Sequence, residues 1–230
     1  MKGVRFEGLR DVGDPVELGA AYSDAGGDEL VFLDVTATLE ERASLAELVR
    51  RVAERLAIPF TVGGGVRSVD DAAALLEAGA DKVSVNSAAL ARPELVTELA
   101  ERLGSQAVVV AIDAAQGEVF SHAGTLPAGL GAVVWAREAE RRGAGEILLT
   151  SIDTDGTRDG YDLGLTSAVA DAVTIPVIAS GGAGSARHVA EALEVAQAAL
   201  LASILHEKPA RLSTLRTELL ELGVPLRDAA

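Results

Sequence analysis

Asp113 ends one of the most apolar runs in the chain, Val108-Val-Val-Ala-Ile-Asp113, so its carboxyl group is expected at a strand end in a partly desolvated place. Desolvation raises a carboxyl pKa toward neutrality, which suits a group that takes and returns a proton during a reaction. Two glycine clusters offer complementary chemistry: Gly63-Gly64-Gly65 and Gly181-Gly182 each follow a short apolar run and precede a helical pattern. Glycines let an anion approach the backbone, and the helix start beyond supplies free N–H groups with a favourable dipole. Asn86-Ser87 and Ala202-Ser203 end two further runs, and Thr150 and Ser180 end two more. Gly64, Gly65, Asn86 and Ser87 therefore make one candidate phosphate cradle, and Ser180, Gly181, Gly182, Ala202 and Ser203 a second. Two cradles suit a small molecule with a phosphate at each end. Gly156, within Asp153-Thr-Asp-Gly-Thr157, is placed to close over the second phosphate, and Asp34 and Asp155 are further strand-end carboxylates. The plainer alternative is that the glycines only permit tight turns and that the aspartates are solvated or cap helices.

Spacing shows which elements must hold these groups. Ile58-Pro-Phe-Thr-Val-Gly-Gly-Gly-Val-Arg67 returns as Ile175-Pro-Val-Ile-Ala-Ser-Gly-Gly-Ala-Gly184, 117 residues later. At the same spacing Glu29-Leu-Val-Phe-Leu-Asp34 falls on Glu146-Ile-Leu-Leu-Thr-Ser151, and Lys82-Val-Ser-Val-Asn-Ser87 on Ala199-Leu-Leu-Ala-Ser-Ile204. Three strand-like runs in one register indicate an internal duplication.

The apolar runs, at Glu29–Leu33, Phe60–Val62, Lys82–Val85, Ala107–Ile112, Glu146–Ser151, Val177–Ala179 and Ala198–Ala202, alternate with helical patterns. Those patterns lie near 15–25, 39–56, 69–78, 93–103, 130–142, 164–173, 186–194 and 209–222. Such alternation means a parallel sheet covered by helices. With the duplication it predicts an α/β fold, a (β/α)₈ TIM barrel built from two (βα)₄ halves, about 1–104 and 105–230, in one domain spanning 1–230. An open dinucleotide-binding sheet fits less well, because Gly64-Gly65 lacks the full G-x-G-x-x-G pattern. Before the first helix, which Asp14 caps and Pro15 begins, residues Met1 to Asp14 show no convincing strand. The register places the mate of Ala107–Asp113 ahead of residue 1, so the chain reads as a barrel whose first strand is missing or incomplete. Two unpaired strand edges would follow.

Composition narrows the function. The 230 residues are 49% hydrophobic with 24 glycines and 7 prolines, without a long apolar span or a basic-apolar leader, which predicts a cytoplasmic protein. Without cysteine, and with three scattered histidines, there is no thiol chemistry and no metal-ligand spacing, and no cofactor motif appears. A net charge of −15 argues against nucleic acid and anionic membranes as partners. At the opposite, N-terminal strand ends stand Glu29, Lys82 and Glu146, which would form either a self-satisfying ion network or a gate to a passage through the barrel.

Lys2-Gly-Val-Arg-Phe6, Arg10-Asp-Val-Gly-Asp-Pro15, Phe60-Thr-Val-Gly-Gly-Gly65, Asp81-Lys-Val-Ser-Val-Asn86, Gln106-Ala-Val-Val-Val-Ala-Ile-Asp113, Gly145-Glu-Ile-Leu-Leu-Thr-Ser-Ile-Asp-Thr-Asp-Gly-Thr157 and Ile178-Ala-Ser-Gly-Gly-Ala-Gly184 together resemble the cyclase subunit of imidazole glycerol phosphate synthase, of histidine biosynthesis. The resemblance implies a lyase that converts phosphoribulosyl-formimino aminoimidazole carboxamide ribotide and ammonia to imidazole glycerol phosphate and aminoimidazole carboxamide ribotide. It implies a heterodimer with a glutaminase that docks on the N-terminal face, beside Asp81, and sends ammonia through a gate of Glu29, Lys82 and Glu146. Asp113 matches one of the family's two catalytic aspartates; the other belongs to the first strand, and Lys2 to the loop after it. The loop at Ala114-Ala-Gln-Gly117 is shorter than in the family, and Val195-Ala-Gln197 replaces its usual Gly-Ala-Asp. Loss of the first carboxylate would impair the enzyme. The alternatives are a non-catalytic barrel that still binds the glutaminase, or the phosphoribosyl-formimino isomerase of the preceding step.

Overall fold

The computed structural model describes residues 2–4, 7–10, 13–33, 42–206 and 208–227. The chain opens with an antiparallel pair, β1 (Lys2–Val4) and β2 (Glu7–Arg10), where the sequence reading expected no strand. Each is only three or four residues long, too short for a two-residue hydrophobic period to be visible. Helix α1 (Pro15–Asp24) follows, and its start is as expected: the Asp14 carboxylate accepts the Val16 N–H at 2.8 Å, with Pro15 next in line.

Then come β3 (Leu30–Leu33), α2 (Arg42–Ala53), β4 (Phe60–Gly63), α3 (Val69–Glu77), β5 (Lys82–Val85), α4 (Ser87–Ala91), α5 (Glu94–Leu103) and β6 (Val108–Ala115). A hairpin of β7 (Glu118–Ser121) and β8 (Leu126–Gly131) interrupts the alternation. It resumes with α6 (Ala132–Arg141), β9 (Glu146–Ser151), α7 (Leu163–Ala170), β10 (Val177–Ser180), α8 (Ala186–Leu193), β11 (Ala198–Ala199) and α9 (Arg211–Glu221). Seven parallel strands lie side by side in chain order, β3-β4-β5-β6-β9-β10-β11, with β3 and β11 at the two ends of the path and no strand between them among the described residues. No described helix is long and apolar enough to cross a membrane.

Side chains alternate across a strand, and here both faces are covered. The outer faces and the helices share a large core that includes Phe60, Leu95, Leu99, Ile112, Trp135 and Leu149. The inner faces share a small one: Val109, Ala111 and Leu148, with Val31, Ile178 and Leu200 packed against them. Because Val31 on β3 and Leu200 just past β11 join one cluster, the sheet is curled, in the manner of a (β/α)₈ barrel. Between the two ends of the path, α1 and the turn after it are stitched by side chains to α9 and the residues before it. Tyr22 and His206 are hydrogen-bonded at 2.8 Å, Ser213 donates to the Ala25 carbonyl, and Arg216 binds the Gly26 carbonyl and Asp28.

The duplication is structural, with one correction. β3 and β4 recur 117 residues on inside β9 and as β10, and Ser68 and Ser185, also 117 apart, cap α3 and α8 by accepting the Asp71 and His188 N–H groups. The third pair of strands does not keep that spacing. Thr61 pairs with Lys82, whereas its repeat mate Ile178 pairs with Ala198, so the separation there is 116 and the mate of Lys82 is Ala198, not Ala199. The same offset relates Asp81, whose carboxylate accepts the Phe60 N–H at 2.8 Å, to Gln197, whose amide oxygen accepts the Val177 N–H at 2.9 Å. Backbone pairing decides this register, because a one-residue slip would turn every β11 side chain to the other face.

Candidate active site

Because the inner faces of β6 and β9 carry every second residue, the barrel interior is layered. On β9 the inward series is Glu146, Leu148 and Thr150; on β6 it is Val109, Ala111 and Asp113. A charged ring at the N-terminal end, an apolar layer and a polar rim therefore stack in order, and four strand residues put ring and rim about 13 Å apart. At the rim Asp113, Thr150 and Ser180 are register partners across β6, β9 and β10.

Asp113 is half-buried, and its carboxyl group is shut off from water well enough that desolvation pushes its pKa up to about 7. A hydrogen bond from the Asn86 side-chain N–H, at 2.8 Å, pulls the other way, and the nearby charge of Asp155 adds to the rise. At neutral pH the group is thus divided between acid and base forms.

Both glycine turns stand at the rim. Gly64 and Gly65 have φ of 102° and 69°, and their repeat mates Gly181 and Gly182 have 93° and 99°. Any other residue would be strained there. At Gly182 the loop after β9 also comes very near: an added Cβ would lie 1.9 Å from the Gly160 carbonyl oxygen. Thr154 donates to the Gly181 carbonyl at 3.2 Å, which sets the loop of Asp155 and Gly156 (φ 74°) beside this turn. β11 ends at Ala199, short of the expected Ala202, so Ala202 and Ser203 stand in the loop beyond it, after Leu200 and Leu201, and the Ser203 carbonyl accepts from Arg158 at 2.9 Å.

Two members of the first cradle are otherwise engaged. Ser87 accepts the His122 N–H on its hydroxyl at 2.9 Å, and Asn86 is turned to Asp113. Lys2 lies in β1, where only its backbone is described, and Asp34 lies outside the described residues.

At the opposite end Lys82 reaches Glu29 at 3.1 Å and Glu146 at 2.6 Å. Burial alone would lower the Lys82 pKa, but the hydrogen bonds it donates to Glu146 and Glu29 outweigh it and hold the ammonium above its usual range. The second carboxylate oxygen of Glu146 is buried without a hydrogen-bond partner among the described residues. Asp81 is exposed on the same face, with one oxygen committed to Phe60.

Sequence reasoning missed the cover over the rim. It treated 114–117 as a short loop, but β6 runs through Ala115 and turns at Gln116 and Gly117, both at positive φ, into β7. That is a two-residue turn matched to strand twist, and Gln-Gly is a weak form of its usual Asn-Gly signal. One end of the hairpin is held where Asp153 accepts the Gln116 N–H at 2.7 Å, and the other where His122, at φ 53°, donates to Ser87. The hairpin so bridges the loops of the two cradles.

A family model described as histidine biosynthesis protein matches residues 1–211. The chain is 58% identical to imidazole glycerol phosphate synthase subunit HisF of Acidobacterium capsulatum, and 58% identical to the protein of the same name from Myxococcus xanthus. Each alignment covers 99% of this chain and 92% of the relative. Identity to the subunit of that name from Anoxybacillus flavithermus is 54%, over 99% of this chain and 93% of the relative.

Proposed function

Because the chain belongs to the histidine biosynthesis protein family, we infer that it is a cyclase subunit of imidazole glycerol phosphate synthase, acting on the bisphosphate intermediate and ammonia. The observation that carries this reading is the placing of one desolvated carboxyl group, Asp113, on the same rim as two glycine turns at matching repeat positions. One phosphate rests on Gly64, Gly65 and the start of α4 beyond Ser87, the other on Gly181, Gly182 and the backbone at Ala202 and Ser203. Held at both ends, the substrate presents its middle to Asp113, which moves protons while ammonia adds and the ring closes. Thr150, Ser180, Asp155 and Gly156 line the second half of the site.

Ammonia comes from a glutaminase on the N-terminal face, next to Asp81. The Lys82, Glu29 and Glu146 ring holds cations, and the apolar layer above favours the neutral molecule. The test is formation of the imidazole product by purified protein supplied with ammonium salt, beside an Asp113→Asn variant. Turnover lost in the variant supports the reading; product formed equally by both would sink it.

A second reading is a barrel that binds the glutaminase without catalysing; among the described residues the parallel path comprises seven strands and ends at β3 and β11. Partner binding with no ammonium-driven product would select it.

A further inference from the structure

Asn86 stands at the N-cap of α4, where asparagine ordinarily accepts a backbone N–H, yet its side chain makes no capping bond. Instead its amide reaches across to β6 and donates to Asp113 at 2.8 Å, while its amide oxygen is buried without a partner among the described residues. A side chain at this position ordinarily stabilises the helix by capping it, so the diverted side chain needs another reason to be there. An amide has a donor end and an acceptor end, and a half-turn exchanges them. The carboxyl group it faces has two states, one that accepts and one that also donates.

We propose that Asn86 is a positioning residue for Asp113, donating to the ionised carboxylate and, turned over, accepting from the protonated acid, while phosphate is left to the backbone beyond Ser87. Asp113 then keeps one geometry through both halves of a proton-transfer cycle. The inference rests on Asp113 being the proton-transfer group. The other groups facing Asp113 do not provide this: Asp155, from the loop after β9, bears a like charge, Thr150 is its backbone partner on β9, and Phe120 is its partner on the hairpin.

The first test needs no turnover. A carbon-13 carboxyl NMR titration of Asp113 in the full chain is compared with that of Asn86→Leu, which keeps the bulk and loses the amide. Because the bond to the ionised carboxylate is charge-assisted and the bond to the neutral acid is not, the titration is expected to move up by their difference, about one pH unit. An unmoved titration overturns the proposal. Should Asn86→Leu not fold, Asn86→Ala is judged by the same shift. In ammonium-driven kinetics the variant is expected to lower kcat more than tenfold, with KM for the bisphosphate within about twofold and the Asp113 limb of the pH profile raised; a tenfold rise in KM with a stationary limb makes Asn86 a phosphate ligand instead. Asp113→Asn is run alongside. Its full activity would defeat the assignment of Asp113, whereas its inactivity beside an unmoved Asn86→Leu titration would defeat this inference alone.

Discussion

Asp113 holds its proton to about pH 7 in the folded chain but to about 3.8, its ordinary value, when unfolded. Between those values the folded state binds more protons, so this residue makes stability fall as pH rises from about 4 to about 7, with no further change above. Asp113→Asn removes the penalty. Its melting temperature should therefore exceed that of the parent at pH 8 and match it near pH 4, and equal differences at both would refute the desolvation. Rate should fall by roughly 10²–10⁴-fold in the same variant. Lys82 shows the opposite logic. Its partners hold it charged, so its contribution is complete at neutral pH and lost only as pH rises through its raised pKa. Lys82→Met leaves Glu29 and Glu146 facing each other; Glu29 is partly exposed, so the loss in a denaturant titration is expected to be about 1–3 kcal/mol. With the glutaminase bound, glutamine-driven turnover should fall further than turnover driven by ammonium salt, and equal losses would make the ring merely structural.

At the scale of elements, the hairpin is the part that can be loosened without touching the sheet. Asp153→Ala frees the Gln116 turn, and hydrogen exchange over 115–131 should quicken while β9 and β10 stay protected. Exchange unchanged in that window would show that the Ser87 end alone holds it. Most of the parallel strands and their helices were legible because period and capping are local: Asp14 and Pro15 announce α1, and runs such as Lys82–Val85 have no competing pattern. The hairpin was not, since β8, Leu126-Pro-Ala-Gly-Leu-Gly131, is almost wholly exposed and carries no apolar alternation. Nor was the 116-residue offset at β11, because two small apolar residues, Ala198 and Ala199, fit either register until Gln197 is seen to bond Val177. Of the candidate site, the placing of the glycine turns and of Asp113 at strand ends was readable from type and spacing. The Asn86 contact was not, because it spans 27 residues and asparagine before a helix reads as a cap.

For the whole molecule, the two ends of the parallel path matter most. β3 and β11 have no strand partner on their outer sides among the described residues, and Leu33 at the tip of β3 is 45% exposed. Unpaired edges recruit other chains. Light scattering is expected to show association that grows with concentration, and a monomer at all concentrations would contradict it. Catalysis at the rim depends on its being one bisphosphate site. Its most direct test is a crystal structure with a non-reacting analogue of the bisphosphate substrate. One phosphate is predicted against the backbone of Gly64, Gly65 and Ser87, the other against Gly181, Gly182 and Ser203, with the carbons between them within hydrogen-bonding reach of Asp113. Phosphates bound away from both glycine turns, or an Asp113 carboxylate directed out of the rim, would contradict it.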